Sequence, residues 1–451
     1  MLDADLPADW PVADFSSAVF FQEGPGLRNW QYRPTGVPFV NIRCLINGRL
    51  DRAAMTCLDP QEVETKYRHF LLDPGDYVVS SSGTLGRIAE VRAEDQPCML
   101  NTSVIRMRPK SDALDRRFLK YFLLSELYQQ QILAFAAGSV QANYGPSHLR
   151  QMKIVLPPLA EQRAVAETLS SLDDKIELNR RMNETLEAMA QAVFRDWFVD
   201  FGPVRRKLAG ETDPVAIMGS LAPDPARTVE LAALFPSALG EDGLPEGWRE
   251  CPIGDQTEIT GGSTPSTADE SLWQPPEHRW ATPKDLSSMA DLALFETGRR
   301  ISSAGLAKIT SGLLPAGTVL LSSRAPIGYL AIAQEPVAIN QGFIALKPSA
   351  VLGSAYLYLW CKANMEAILA NANGSTFQEI SKKNFRPITS AVPANPAILR
   401  AFGDIAQPLI ERIVAAAREN RTLAETRDYL LPRLMSGAVR VRREQTQDAA
   451  A

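Results

Sequence analysis

The chain carries the same text twice. Gly75-Asp-Tyr-Val-Val-Ser-Ser-Ser-Gly-Thr-Leu-Gly86 returns as Gly317-Thr-Val-Leu-Leu-Ser-Ser-Arg-Ala-Pro-Ile-Gly328, and further matching segments follow each copy. The displacement is 238 positions from Trp10 to Trp248, 242 from Gly86 to Gly328, 239 from Asn101 to Asn340, 236 from Gly138 to Gly374 and 237 from Leu186 to Leu423. Turns rich in Gly and Ser recur by chance, but five landmarks in one order do not, and internal repetition outranks any local signal. The period far exceeds a solenoid repeat, so a whole domain and its following helix are duplicated. Such a body presents one kind of surface twice at a fixed separation.

Each copy reads as mixed α/β. In the first, Val37-Pro-Phe-Val-Asn-Ile-Arg-Cys-Leu45 and Tyr77-Val-Val-Ser80 are short strands, punctuated by turns at Asn47-Gly48, Asp73-Pro-Gly75 and Ser82-Gly83. A helical stretch from Asp115 to Phe135 follows, with Phe118, Phe122, Leu123, Leu127 and Ile132 on its apolar face. The organisation predicted is a first globular unit at 1–157, a long helix at 158–201, a connector at 202–243, a second unit at 244–393, a second long helix at 394–436 and a fraying tail at 437–451. Pro203, Pro214, Pro223, Pro225, Pro236 and Pro245 forbid one continuous helix across the connector, which is expected to be partly ordered.

From Leu169 a three-four alternation runs through Leu172, Ile176, Asn179, Asn183, Leu186, Ala190, Val193 and Trp197. That is the seam of a coiled coil. Displaced by 237, the second copy places Ala406, Leu409, Ile413, Ala416, Asn420, Leu423, Arg427, Leu430 and Leu434 on the equivalent seam. Two seams in one chain suit antiparallel pairing within the molecule, with the matched polar residues Asn183 and Asn420 fixing stagger at a cost in stability. The alternative is a helix lying on its own domain with Asn at its edge. Thirty-five helical residues span roughly 50 Å, one to one and a half turns of duplex DNA.

Composition narrows the function by exclusion. A chain of 451 residues, 45% hydrophobic and 22% charged, can build more than one core. The net charge of -5 gives no global basic signature, so nucleic-acid binding has to come from local faces. Cys44, Cys57, Cys98, Cys251 and Cys361 form no close pair and read as reduced thiols. His69, His148 and His278 lack metal-ligand spacing. The acidic start Met1-Leu-Asp-Ala-Asp5 is no targeting segment, and no apolar run reaches the roughly 18 residues of a membrane span, so a cytoplasmic protein is expected.

Catalytic signatures are missing too. The Gly-containing loops do not complete a Gly-x-x-x-x-Gly-Lys-Ser/Thr nucleotide cradle. The serine clusters lack a Gly-x-Ser-x-Gly elbow and a repeated triad, and there is neither an Asn-Pro-Pro-Tyr/Phe methyltransferase motif nor a zinc-deaminase signature. The polar residues near the turns suit recognition better. In the first unit the candidate DNA contacts are Arg28, Asn29, Asn41, Arg43, Lys66, Arg68, Ser80, Ser81, Ser82 and Arg87. In the second they are Ser263, Thr264, Thr282, Lys284, Arg299, Arg300, Ser322, Ser323, Arg324 and Tyr329. Arg takes a guanine edge or holds phosphate, and short hydroxyls and Asn suit close backbone or base contact. Taken singly each is an ordinary solvated side chain, and only recurrence at matched landmarks lifts the set. Gln141, Asn143 and Tyr144, with Ser375, Phe377, Gln378 and Lys382, follow a matched glycine in each copy and could read or stack on a base. The alternative is helix capping by the serines, with the aromatics packed inward.

At this point the residues carry a family likeness. The Leu-Pro-x-x-Trp openings, the duplicated strand-loop segments, Leu156-Pro-Pro-Leu-Ala-Glu-Gln-Arg163, Ile176-Glu-Leu-Asn-Arg-Arg-Met-Asn183 and Leu430-Leu-Pro-Arg-Leu-Met-Ser-Gly437 together resemble the DNA specificity subunit of type I restriction-modification systems over nearly the whole chain. The resemblance implies two globular target recognition domains of α/β (α+β) type, related by a pseudo-twofold duplication and joined by two long helices in an antiparallel coiled coil. Each domain would read half of a bipartite, asymmetric site. The helices would act as a ruler, paired through Leu169, Leu172, Ile176, Asn183, Leu186 and Val193 against Leu409, Ile413, Asn420, Leu423 and Leu430, and as the seat of two modification subunits. Those partners would methylate adenine from S-adenosylmethionine, and added restriction subunits would cleave double-stranded DNA with ATP and magnesium. No cofactor or metal site is expected on this chain, and no membrane. One departure stands out: Val392-Pro-Ala-Asn-Pro396 lacks the Gln-Arg ending of the first copy, which puts the second partner contact in doubt. An orphan DNA-binding repressor and a protein-only scaffold are the competing readings.

Overall fold

Val104–Pro109 is the spine of the first domain in the computed structural model, which describes residues 6–46, 48–136, 143–219, 225–287, 289–374 and 378–441. This strand pairs antiparallel with Val19–Glu23 on one side and Tyr77–Ser80 on the other, and Ile88–Glu90 extends the sheet. Alternate residues feed two cores. Tyr77, Val79, Ile105 and Met107 pack with Phe118 and Phe122 of helix Arg116–Leu124, whereas Val78, Ala89 and Val104 pack with Val40 and Cys44. With both faces covered, Tyr77–Ser80 shows no polar alternation in the sequence, whereas in the spine strand Arg106 and Arg108 alternate with Ile105 and Met107. Asp115 starts the helix, its carboxylate accepting from the amides of Arg117 and Phe118 at 2.9 and 3.0 Å.

The second domain repeats the plan. Val319–Ser322 lies between Phe343–Leu346 and Leu330–Ala333, and Ile259–Gly261 and Ala293–Leu294 form the edges. Val319 and Leu321 point to one core and Leu320 to another. Each domain also has a small sheet with one parallel pair, Val37–Val40 beside Met99–Leu100 and His278–Ala281 beside Ala338–Ile339. Each is closed by pairing its first strand with its last, Val12–Asp14 with Lys153–Val155 and Trp248–Pro252 with Thr389–Pro393.

Two compact units emerge, Met1–Lys175 with Thr422–Ala451, and Ile176–Arg421. Both divisions fall inside the long helices Leu159–Phe198 and Pro396–Met435. Each domain is therefore grouped with the start of its own helix and the end of the other copy's helix. In the first unit Leu430, Leu431, Leu434 and Met435 share a core with Val165 and Leu169, and Arg427 Nη1 donates to Asp173 Oδ1 at 2.9 Å. In the second, Asn179 Nδ2 donates to Asn420 Oδ1 at 2.9 Å and Asn183 Nδ2 to the Ile413 carbonyl at 3.4 Å. Partner numbers fall as the first helix advances, so the helices run antiparallel. Asn183 and Asn420 match by repetition, yet they are not each other's partners, because the antiparallel register sets Asn420 against Asn179.

The connector is not one continuous helix. It forms helices Gly202–Leu208, Pro214–Ile217 and Pro225–Leu234, and Ile217, Met218, Leu231, Ala232 and Phe235 are buried in the core of the second unit. Pro203, Pro214 and Pro225 fall in the first turns of these helices, where no amide donor is needed, so they start helices instead of breaking one. The chain leaves the first long helix through Phe201 at φ 53°, and the Phe201 ring packs edge-on against Trp248 at 5.6 Å. A left-handed phenylalanine costs energy that this aromatic contact offsets.

Among the described residues no helix is long and apolar enough to cross a membrane, and no group of three or more His, Cys, Asp or Glu could hold a metal ion. The five cysteines are free, with Cys44, Cys98 and Cys361 buried.

Candidate nucleic-acid interface

The duplicated loops are built bond for bond alike. Ser80 Oγ donates to the Thr84 carbonyl at 2.6 Å and accepts from the Arg87 amide at 2.9 Å. Ser322 Oγ donates to the Pro326 carbonyl and accepts from the Tyr329 amide, both at 2.8 Å. The next serine of each copy is held through its backbone. The Ser81 amide bonds to the Ser103 carbonyl and its carbonyl accepts from Tyr144, while the Ser323 amide bonds to Gly342 and its carbonyl accepts from Ile380. Gly86 and Gly328 close the loops with φ of 73° and 110°, a region suited to glycine.

This architecture corrects part of the predicted site. Ser80 and Ser322 are buried with their hydroxyls spent inside their own loops, and Ser81 and Ser323 are buried with their backbones tied into the fold. Tyr144 is buried too, its hydroxyl 3.1 Å from that of Tyr128, which realises the inward-packing alternative. Burial pushes both phenol groups well above their ordinary pKa. The loops gain an outer partner instead: Ser82 bridges to Asn143, and Arg324 to Glu379. Gln141, Ser375 and Phe377 lie outside the described residues.

In the first domain Arg28, Asn29, Arg43, Lys66, Arg68, Arg87 and Asn143 are exposed. Lys66 and Arg68 pair with Glu62 and Glu64 at 3.4 and 3.0 Å, which tempers their charge. The Asn41 side chain accepts from the Arg43 amide at 2.9 Å, shaping the turn that carries Arg43. Sequence reasoning missed Trp30, which is 72% exposed beside Arg28 and Asn29. Arg33 Nη1 holds its carbonyl at 2.9 Å. The sequence shows only a tryptophan near Arg28 and Arg33, and its exposure is a property of the fold.

In the second domain Thr282, Lys284, Arg324 and Tyr329 line one recess of about 410 Å³ with Asn340 and Gly342. Thr282 Oγ1 donates to Asp285 at 2.7 Å, and Arg324 forms a 3.7 Å ion pair with Glu379. Arg299 lies outside this recess lining, its guanidinium 3.6 Å over the Trp273 ring, while Arg300 pairs with Glu296 at 3.0 Å. Thr264 Oγ1 donates to Gln341 at 2.5 Å, and half-buried Ser263 accepts from Trp280 through its carbonyl at 3.2 Å. Gln378 and Lys382 are exposed. One scaffold thus carries two different faces, with Ser82, Arg87 and Asn143 where the second copy has Arg324, Tyr329 and Glu379.

The helix-facing motif is structural. Gln162 is buried, donates to the carbonyls of Ala113 and Pro157 at 3.0 and 2.8 Å and accepts from the Asp115 amide at 2.8 Å. Glu161 accepts from Trp10 Nε1 at 2.7 Å and pairs with Arg440 at 3.3 Å. The second copy has buried Leu399 at the position of Gln162, so its departure from the motif replaces a polar fastening with an apolar one.

Residues 31–188 and 245–405 each match the family described as type I restriction modification DNA specificity domain. The chain belongs to that family. Its members recognise DNA and direct methylation and restriction through partner subunits, and they are not themselves catalytic. This specificity chain is 25% identical over 376 residues to the HindI specificity subunit of Haemophilus influenzae, covering 76% of this chain and 81% of the relative. It is 35% identical over 153 residues to the MjaIX specificity subunit of Methanocaldococcus jannaschii, covering 34% and 35%. Its fold is similar to the crystal structure of a type I restriction-modification S subunit from M. genitalium, with TM-score 0.53, 17% identity and coverage of 96% and 97%.

Proposed function

We propose that this chain reads a bipartite, asymmetric DNA site, one half through each domain, with the helix pair setting the gap and seating two modification subunits. The observation that carries this reading is the pair of loops with one internal bonding scheme and different outer residues. Identical scaffolds approach DNA in the same manner, and unlike side chains read unlike bases. Arg43 and Arg87 in one domain, and Lys284 and Arg324 in the other, supply local positive groups on an acidic chain, so binding weakens steeply with salt. The partners transfer methyl from S-adenosylmethionine to adenine, and restriction subunits add ATP- and magnesium-dependent cleavage. The chain works in the cytoplasm, where its DNA is.

The test is single-molecule methylome sequencing of cells coexpressing this chain with its modification partner, against cells lacking the chain. New adenine methylation at one bipartite motif is expected and yields both half-sites and their gap. No new methylation with both proteins soluble would favour an orphan DNA binder.

A further inference from the structure

We propose that Asp173 and Glu187 are positioning residues that fix the angle at which each recognition domain is held on its helix segment, and thereby the precision of gap selection. The inference rests on the reading above and separates the choice of gap from the choice of bases.

In the first unit Tyr121 Oη and Lys120 Nζ, both on helix Arg116–Leu124, donate to Asp173 Oδ2 at 2.8 and 2.7 Å. In the second, Tyr358 Oη donates to Glu187 Oε1 at 2.9 Å and Lys362 Nζ reaches the same oxygen at 2.5 Å, both from helix Ser354–Ala363. Tyr121 and Tyr358 match by the internal displacement of 237. The carboxylates do not match: the displaced counterpart of Asp173 is buried Ile410, and that of Glu187 is Ala424.

A tyrosine kept in both copies thus finds an unduplicated carboxylate, in each case on the first long helix. Asp173 and Glu187 stand two heptads apart, each directly after a seam leucine, Leu172 or Leu186. Duplication accounts for shared core packing but not for two independent acids meeting one repeated phenol. Most of the surrounding contact is apolar and without direction, which tolerates small rotations, and the other directional bonds of the first domain, Gln162 with Ala113 and Asp115 and Arg117 with Ser170, lie nearer the start of the helix. A charge-assisted hydrogen bond prescribes both length and direction, so the clamp sets the angle.

The test uses the full chain coexpressed with its modification partner and a plasmid library in which both half-sites are constant and the gap varies by one or two base pairs. Wild type is expected to methylate one gap. Asp173→Asn, Glu187→Gln and the milder Tyr121→Phe and Tyr358→Phe should raise methylation at neighbouring gaps, relative to the native gap, by about tenfold, with half-site bases unchanged. Unbroadened gap selection in the Tyr→Phe variants overturns the proposal, as does a change of bases at an unchanged gap. Should an acid-to-amide variant fail to accumulate, the Tyr→Phe variants decide, since each loses a single oxygen. If wild type methylates no bipartite site, the specificity reading fails and this inference falls with it.

Discussion

Asn179 of the first long helix donates to Asn420 of the second at 2.9 Å, and its amide also reaches Glu419 at 2.7 Å. Asn179 is buried in an otherwise mostly apolar seam, so this pair is a register mark held at a cost in stability. Asn420→Leu should destabilise more than the double variant with Asn179→Leu, because one substitution leaves the buried Asn179 amide with Glu419 as its remaining acceptor beside a new apolar side chain, and two restore an apolar match. A double-mutant cycle by denaturant unfolding should give a coupling of about 1 kcal/mol. Additive effects would remove the pair's claim to register.

The Asp173 cluster makes a pH prediction. Burial pushes the carboxyl up, but the Lys120 charge and the bonds from Lys120, Arg427 and Tyr121 outweigh it and hold the group below the usual carboxylate range. A carboxyl lowered by folding stabilises above its unfolded pKa of about 4 and loses that contribution as pH falls through the lower folded value. Asp173→Asn should therefore cost about 2 kcal/mol at neutral pH, and the gap from wild type should close in urea melts below about pH 4. A difference independent of pH would show that the charge is not what Asp173 supplies.

Ser80→Ala and Ser322→Ala each remove a buried hydroxyl that both accepts from an amide and donates to a carbonyl. Each should cost about 2 kcal/mol and speed hydrogen exchange at the Arg87 or Tyr329 amide. Unaltered protection at those amides would mean that the loops are held by other means.

Arg324→Ala should relax base preference at one half-site and leave the gap alone. The discrimination lost should be about 1–3 kcal/mol if the guanidinium reads a base edge. Methylome sequencing of the variant reads both quantities at once, and an unchanged motif would mark Arg324 as a partner of Glu379 only.

Repetition and seam periodicity were legible because both are properties of spacing. Every residue of the two seams is buried or half-buried, and both domains have the mixed α/β make-up expected of them. Ser80 and Ser322 were misplaced because a serine at the end of a strand looks the same whether its hydroxyl faces solvent or a neighbouring carbonyl. The connector's short helices were not legible because a proline that ends one helix and a proline that starts another are the same letter. The Asn179–Asn420 pairing was hidden because stagger belongs to two helices together. Trp30 was overlooked because an exposed tryptophan is recognisable only once the core has filled without it.

Gln162 and Leu399 fasten the two domains by unlike means, one by hydrogen bonds and one by apolar burial. Apolar attachment weakens on cooling, whereas an amide bonded to backbone carbonyls does not share that dependence. A cold shift should therefore slacken the second reading head on its helix before the first, and a site read evenly in the warm would be read unevenly in the cold, with errors gathering in one half.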